Sequence, residues 1–236
     1  MKFLSTLLLL FPLAATAGEF CPSASPADAW GVQYQLSGDK QGTLLLLRQQ
    51  QQTAFYNPDN QISEWWKFDN PSHPQFSRIF GQAQRRIDYY SGDLRTLGVK
   101  VSQEGIKSFS ANHLRQVLTK VPQDTCAHAQ AYEGQYQQVH YRLLWSNTLN
   151  IPLLLQTEVN GKTNRWQAQQ FVDNGQVHSL FQQWQAYQRT DFADVGDNEQ
   201  DPFLAKMINQ GFVEHSEHAV YDSHGHPLSN HGSHSH

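Results

Sequence analysis

The chain has 236 residues, 39% of them hydrophobic and 16% charged, with 17 Lys and Arg against 21 Asp and Glu for a formal charge of −4. That length can bury a substantial core in one β-rich domain. The basic residues are scattered and outnumbered, which argues against a nucleic-acid partner and an anionic membrane surface.

Residues Met1–Ala17, MKFLSTLLLLFPLAATA, combine Lys2, an apolar run from Leu7 to Leu13 and the small-residue site Ala15-Thr16-Ala17. This is the pattern of a secretory signal peptide, with cleavage expected before Gly18 and a soluble mature chain in the periplasm of a Gram-negative cell. The run is too short to span a bilayer, and no later stretch approaches the roughly 18 apolar residues that an integral segment needs. Phe20, not a small residue, precedes the first cysteine, which argues against lipidation. In an oxidising compartment the chain's two cysteines, Cys21 and Cys126, are expected to bridge; no CxxC or metal spacing flanks either one.

Period-two patterning follows. Trp30, Val32, Tyr34 and Leu36 alternate, SGDKQG turns the chain, and Thr43 to Leu47 reads as a more buried strand. QTAFY and QISEWWKF flank the turn cluster Asn57-Pro58-Asp59-Asn60, and RRIDYYSGDL reads as a strand ending in a turn. Trp65 and Trp66 are adjacent and so must face opposite sides of their strand. Ser110 is the expected N-cap of a helix with Leu114, Val117 and Leu118 on its buried stripe, ended by Pro122. Val139, Tyr141, Leu143 and Trp145 alternate next. Asn160-Gly161 and Asn174-Gly175 are both hairpin signals. The glutamines of RQQQQT and FQQWQAYQ are assigned to solvent sides of strands. Asp201-Pro202 opens a second helix, with Phe203, Leu204, Met207 and Ile208 on its apolar face and Gly211 at its end. The sum is an α+β fold: one domain over 18–213, a curved antiparallel sheet for which a half-barrel is one candidate shape, and few short helices. A flexible tail, 214–236, follows.

The run GTLLLLRQQQQTAFYNPDNQISEWW in a succession of hairpins resembles the N-terminal strands of periplasmic lipoprotein carriers and their half-barrel relatives, the LolA/LolB/RseB type. The likeness covers roughly residues 30–95 and lies in strand pattern more than in motif. It implies an incomplete barrel lined by apolar side chains, closed by helices, sheltering an acyl chain or docking a partner. Arg48 occupies the place of a family arginine that precedes proline, but Gln49 follows here, so no ligand role is carried over. The candidates for an apolar pocket are Trp30, Tyr34, Phe55, Trp65 and Trp66, with Tyr56 and Phe68 beside them; aromatics at alternating positions are more often core.

Seven of the twelve histidines crowd into the last 22 residues: His215, His218, His224, His226, His231, His234 and His236. Spacings of two and three allow short chelates, and imidazoles largely neutral near pH 7 suit zinc, copper or nickel. The rival is compositional drift at a chain end. His73, His113, His128, His140 and His178 stand alone and read as ordinary side chains. Asp191, Asp194, Asp197, Glu199 and Asp201 could offer oxygens to calcium, but they do not match the EF-hand loop and read as a solvated turn. No nucleophile elbow, HExxH, Walker loop, SxxK or dinucleotide fingerprint occurs. The expectation is a binding protein rather than an enzyme. A metal ion taken by the tail is the first partner, a lipid, lipoprotein or other apolar ligand the alternative. A hydrolase built from dispersed carboxylates and histidines is a third.

Overall fold

In the computed structural model, residues 20–209 are described, residues 27 and 199 excepted. The proposed signal peptide and the seven tail histidines lie outside these residues.

Twelve strands form one open sheet. Six run in sequence: β1 (Ala29–Ser37), β2 (Gly42–Gln49), β3 (Gln52–Asn57), β4 (Ile62–Lys67), β5 (Gln75–Phe80) and β6 (Arg85–Tyr89). After a helical excursion come β7 (Thr119–Val121), β8 (Ala129–Tyr136), β9 (Val139–Ser146), β10 (Ile151–Val159) and β11 (Lys162–Val172). The last, β12 (Gln188–Asp191), runs parallel to β6. The order across the sheet is β12-β6-β5-β4-β3-β2-β1-β11-β10-β9-β8-β7, so two meanders join where β1 pairs with β11. Every other neighbouring pair is antiparallel. Register shifts at Gln33/Tyr34 in β1 and Pro152/Leu154 in β10 bend the strands locally, as bulges do. The expected curved antiparallel sheet is thus present, with sheet dominating the fold.

Local chemistry sets the turns. Asn160 and Gly161 take φ of 51° and 75°, the left-handed pair that a two-residue hairpin between β10 and β11 requires. Asn57 Oδ1 accepts from the backbone N–H groups of Asp59 and Asn60 and so shapes the β3–β4 turn. The second hairpin signal, Asn174-Gly175, is instead the start of a helix. Asp173 Oδ1 accepts from Gln176 N at 3.1 Å, a helix cap that outcompetes the turn. Helix α4 (Asn174–Ala186) follows, and the glutamines of FQQWQAYQ fall mainly on it rather than on a strand.

The excursion between β6 and β7 holds α1 (Ser91–Thr96), α2 (Gln103–Lys107) and α3 (Leu114–Val117). The helix expected from Ser110 to Pro122 shrinks to α3. Ser110 has φ of 55° and does not cap it, Val117 is exposed, and Thr119–Val121 is already the edge strand β7. The edge pairing with β8 takes up backbone groups that a longer helix would have used internally. The Asp201 cap is as expected: its Oδ1 accepts from Phe203 N at 2.9 Å at the head of α5 (Pro202–Asn209).

The first meander is covered on both faces. On one, α4 packs Val177, Phe181 and Trp184 over Leu45, Leu47, Ala54, Trp65 and Ile79. On the other, residues 91–118 and the segment leading into α5 bury Leu94, Ile106, Val195, Leu204 and Met207 against Trp66, Phe76, Phe80 and Ile87. Trp65 and Trp66 do point to opposite faces. Cys21 and Cys126 are bonded, pinning the segment before β1 to the start of β8 across a separation of 105 residues. None of the described helices is long and apolar enough to cross a membrane.

Candidate functional site

A cavity of about 150 Å³ lies between the sheet and the 91–118 segment, which we call the lid. Its floor comes from alternating positions on adjacent strands: Leu36 on β1, Leu44 on β2, Phe55 on β3, Ile62 and Glu64 on β4, and Trp166 on β11. Its roof is Gly105, Ile106, Phe109 and Ser110 from the end of α2 and the loop after it. Lys40, Asn57 and Asn60, on the turns between strands, give it a polar rim.

Phe109 is the centre of this arrangement. Its ring sits 5.0 Å from those of both Tyr34 and Phe55 and 5.6 Å from that of Trp166, so it fills the middle of the lid face from above. Phe109 and Ser110 carry φ of 53° and 55°, two successive non-glycine residues in the left-handed region, where each side chain costs of order 1 kcal/mol. Ser110 N donates to Gly105 O, which closes α2 and turns the chain so that Phe109 drops toward the sheet.

One partly buried cation ties lid to sheet. Arg48, on β2, donates from Nη2 to the carbonyl of Lys107 at the end of α2, and from Nη1 to Leu149 O at 3.2 Å. Its guanidinium lies 4.7 Å from the ring centre of Trp30. Burial lowers its pKa to about 10, so it stays charged near neutral pH, and charged donors make the stronger hydrogen bonds. Tyr34 beside it donates its hydroxyl to Pro152 O at 2.7 Å, and burial pushes that hydroxyl's pKa up.

The second buried charge faces the cavity. In the cross-strand row Val32, Leu46, Phe55, Glu64, Arg78, Ile87, the two charged members are neighbours in an otherwise apolar line. Arg78 Nη2 is 3.3 Å from Glu64 Oε1, and their side chains are 3% and 11% exposed. Burial pushes the Glu64 carboxyl up to about 7, against the pull of Arg78 and Lys40.

Of the residues put forward from sequence, Phe55 lines the cavity. Trp30 and Tyr34 lie in the adjoining core, Trp66 is packed between Phe68 and Phe76, and Trp65 is on the far face against Phe181 and Trp184. Tyr56 packs against Trp184, also on the far face. Sequence reasoning missed Glu64, Ile106, Phe109 and Trp166. A charged residue at the inward position of QISEWW, matched by Arg78 in QFSRIF, was a readable signal for Glu64; nothing local marks Phe109.

Among the described residues no group of three or more His, Cys, Asp or Glu side chains is placed to hold a metal ion. His113 Nδ1 meets Ser110 O at 2.7 Å, and His140 lies 3.5 Å from Glu133. The acidic stretch beside β12 is occupied by its own cations: Asp201 pairs with Arg85 at 2.8 Å and Asp191 with Arg189 at 3.2 Å. The hydrogen bond from Arg85 holds the Asp201 carboxyl below the usual range.

These features define an open, mostly antiparallel sheet with helices over an apolar cavity. No family model and no curated protein matches the chain. Among solved structures, PNGF-II is similar in two crystal forms at 8% identity, with TM-scores of 0.39 and 0.37. Both alignments cover 70% of this chain and 31% of PNGF-II, so the chain spans about a third of that protein's length.

Proposed function

We propose that the protein is an exported binding protein that shelters the hydrocarbon part of an apolar ligand, a lipid or the acyl chain of a lipoprotein, between sheet and lid. The observation that carries this reading is the cavity itself: a floor apolar but for Glu64, a roof centred on Phe109, a polar rim, and a lid held to the sheet through Arg48. Ligand sites are concave and mostly apolar with a few placed polar groups, which is this composition. A volume near 150 Å³ holds about one aromatic ring. A long chain therefore needs the space that Phe109 fills, and a ring carried on a loop is easier to withdraw than one on a strand. The disulfide supports export to an oxidising compartment. The test is equilibrium titration of delipidated protein with a fluorescent sixteen-carbon amphiphile. One saturable site, displaced by the unlabelled chain, is expected; binding that never saturates would count against a defined site.

The histidine spacing of residues 215–236 favours a second, independent activity, the capture of zinc, copper or nickel. Calorimetric titration at pH 7 should register more than one equivalent bound, and truncation after residue 214 should remove most of it. Equal uptake by the truncated chain would assign the metal elsewhere.

A further inference from the structure

A carboxylate on the wall of a greasy cavity is out of place energetically. Exchanging a buried ion pair for hydrophobic residues is often neutral or stabilising, so Glu64 and Arg78 are poor candidates for holding the sheet together. Their geometry is asymmetric in a way that suits recognition. Both project from the lid face, yet Glu64 lines the cavity and Arg78 lies one strand further out, away from it. Whatever enters the cavity meets the carboxyl with a guanidinium behind it.

We propose that Glu64 reads the polar end of the ligand and selects an amphiphile whose head is neutral and donates a hydrogen bond, a hydroxyl or amide N–H, over one ending in a carboxylate. This rests on the apolar-ligand reading and names the ligand's head.

The chemistry follows from the inventory of acceptors. A carboxylate only accepts hydrogen bonds, with about four lone-pair sites, and the contact from Arg78 is to Oε1. Burial pushes the Glu64 carboxyl up to about 7, so at pH 8 the ionised, acceptor-only form prevails; the protonated form would also have an O–H to donate to a ligand carboxylate. A ligand carboxylate brought beside it puts two acids in one poorly solvated place, where like charges disfavour joint ionisation. The charges that face Glu64 are Arg78 from β5 and Lys40 from the β1–β2 turn, with the Tyr89 hydroxyl on β6 also sensing it. Lys40 is exposed at the rim, where solvent and salt screen it, and Arg78 is already engaged. A ligand carboxylate beside Glu64 would therefore have to compete with Glu64 for the same two cations, Arg78 and Lys40.

The probes are 1-monopalmitoylglycerol and palmitate, equal in chain length, each displacing the fluorescent amphiphile at pH 8. Wild type should prefer the glycerol ester by about tenfold. Glu64→Gln should raise palmitate's affinity until it lies within about threefold of the ester's. Because Gln leaves Arg78 charged, the double variant Glu64→Gln with Arg78→Gln serves if the single variant does not fold, and the same convergence is expected. Wild type taking palmitate as tightly as the ester, or an unchanged ratio in the variants, would overturn the assignment of Glu64 while leaving the cavity reading intact. If neither probe displaces the label, the cavity reading falls first and this one with it.

Discussion

Replacing Phe109 with alanine is expected to tighten binding of a sixteen-carbon chain about tenfold, or ~1.4 kcal/mol, while lowering the stability of the empty protein. The ring touches Tyr34, Phe55 and Trp166 and occupies the place into which a chain must extend. In the empty protein those contacts help stability; when a chain enters they must be given up. A fully buried Phe→Ala change costs about 3 to 5 kcal/mol, and because Phe109 is only half-buried we expect about 2 kcal/mol. Glycine at the same position discriminates the backbone contribution. At φ of 53° it escapes the left-handed penalty, so Phe109→Gly should lose less stability than Phe109→Ala by a few tenths to 1 kcal/mol, though glycine usually costs more than alanine. Urea unfolding of the three proteins, alongside displacement titrations, reads both quantities. Weaker chain binding in the alanine variant would show that Phe109 is a wall of the site and not its plug.

Opening the disulfide is expected to cost about 2 to 5 kcal/mol. The bond closes a separation of 105 residues, for which chain entropy alone suggests about 4 to 5 kcal/mol, and native packing around it adjusts that figure. Cys126 is 1% exposed, and Phe20 and Cys21 pack against the cluster of Trp30, Val32, Tyr34 and Leu46. Phe20 also meets Phe171 edge-on at 5.0 Å, so the short N-terminal segment covers apolar surface on β11. Cys21→Ala with Cys126→Ala, compared with reduced wild type by urea unfolding, separates loss of the bond from loss of the sulfur atoms. Both should fall well below the oxidised protein; a loss under about 1 kcal/mol would mean that the segment holds its place by packing alone.

How much of this could be read from the chain depends on the range of the interactions. The strands of the first meander, the turn at 57–60 and the hairpin at Asn160-Gly161 were legible because alternation and turn chemistry are local. The disulfide was legible because two cysteines leave one pairing. Asn174-Gly175 misled because the same dipeptide serves a turn or the first turn of a helix, and Asp173 just before it decides for the helix. The Ser110 helix failed for a tertiary reason: residues 119–121 are drawn into pairing with β8, and Ser110 itself closes α2. The aromatics of β1 and β4 were pocket candidates whose alternation reads more often as core, and they mostly pack the core. The cavity belongs to residues brought together across the sheet, Leu44, Phe55 and Trp166, and to a loop residue, Phe109, whose importance lies in backbone geometry that no sequence period encodes.

The claim on which the account turns is that a hydrocarbon chain enters between lid and sheet, and filling that space from the sheet side tests it most directly. Leu44 lines the cavity from β2, opposite the lid, so Leu44→Trp puts an indole where the chain would lie. Titrated with the fluorescent sixteen-carbon amphiphile, the folded Leu44→Trp variant should bind at least about tenfold more weakly than wild type, a loss of ~1.4 kcal/mol. An affinity equal to wild type, in a variant whose unfolding midpoint is unchanged, would place the chain somewhere other than under the lid.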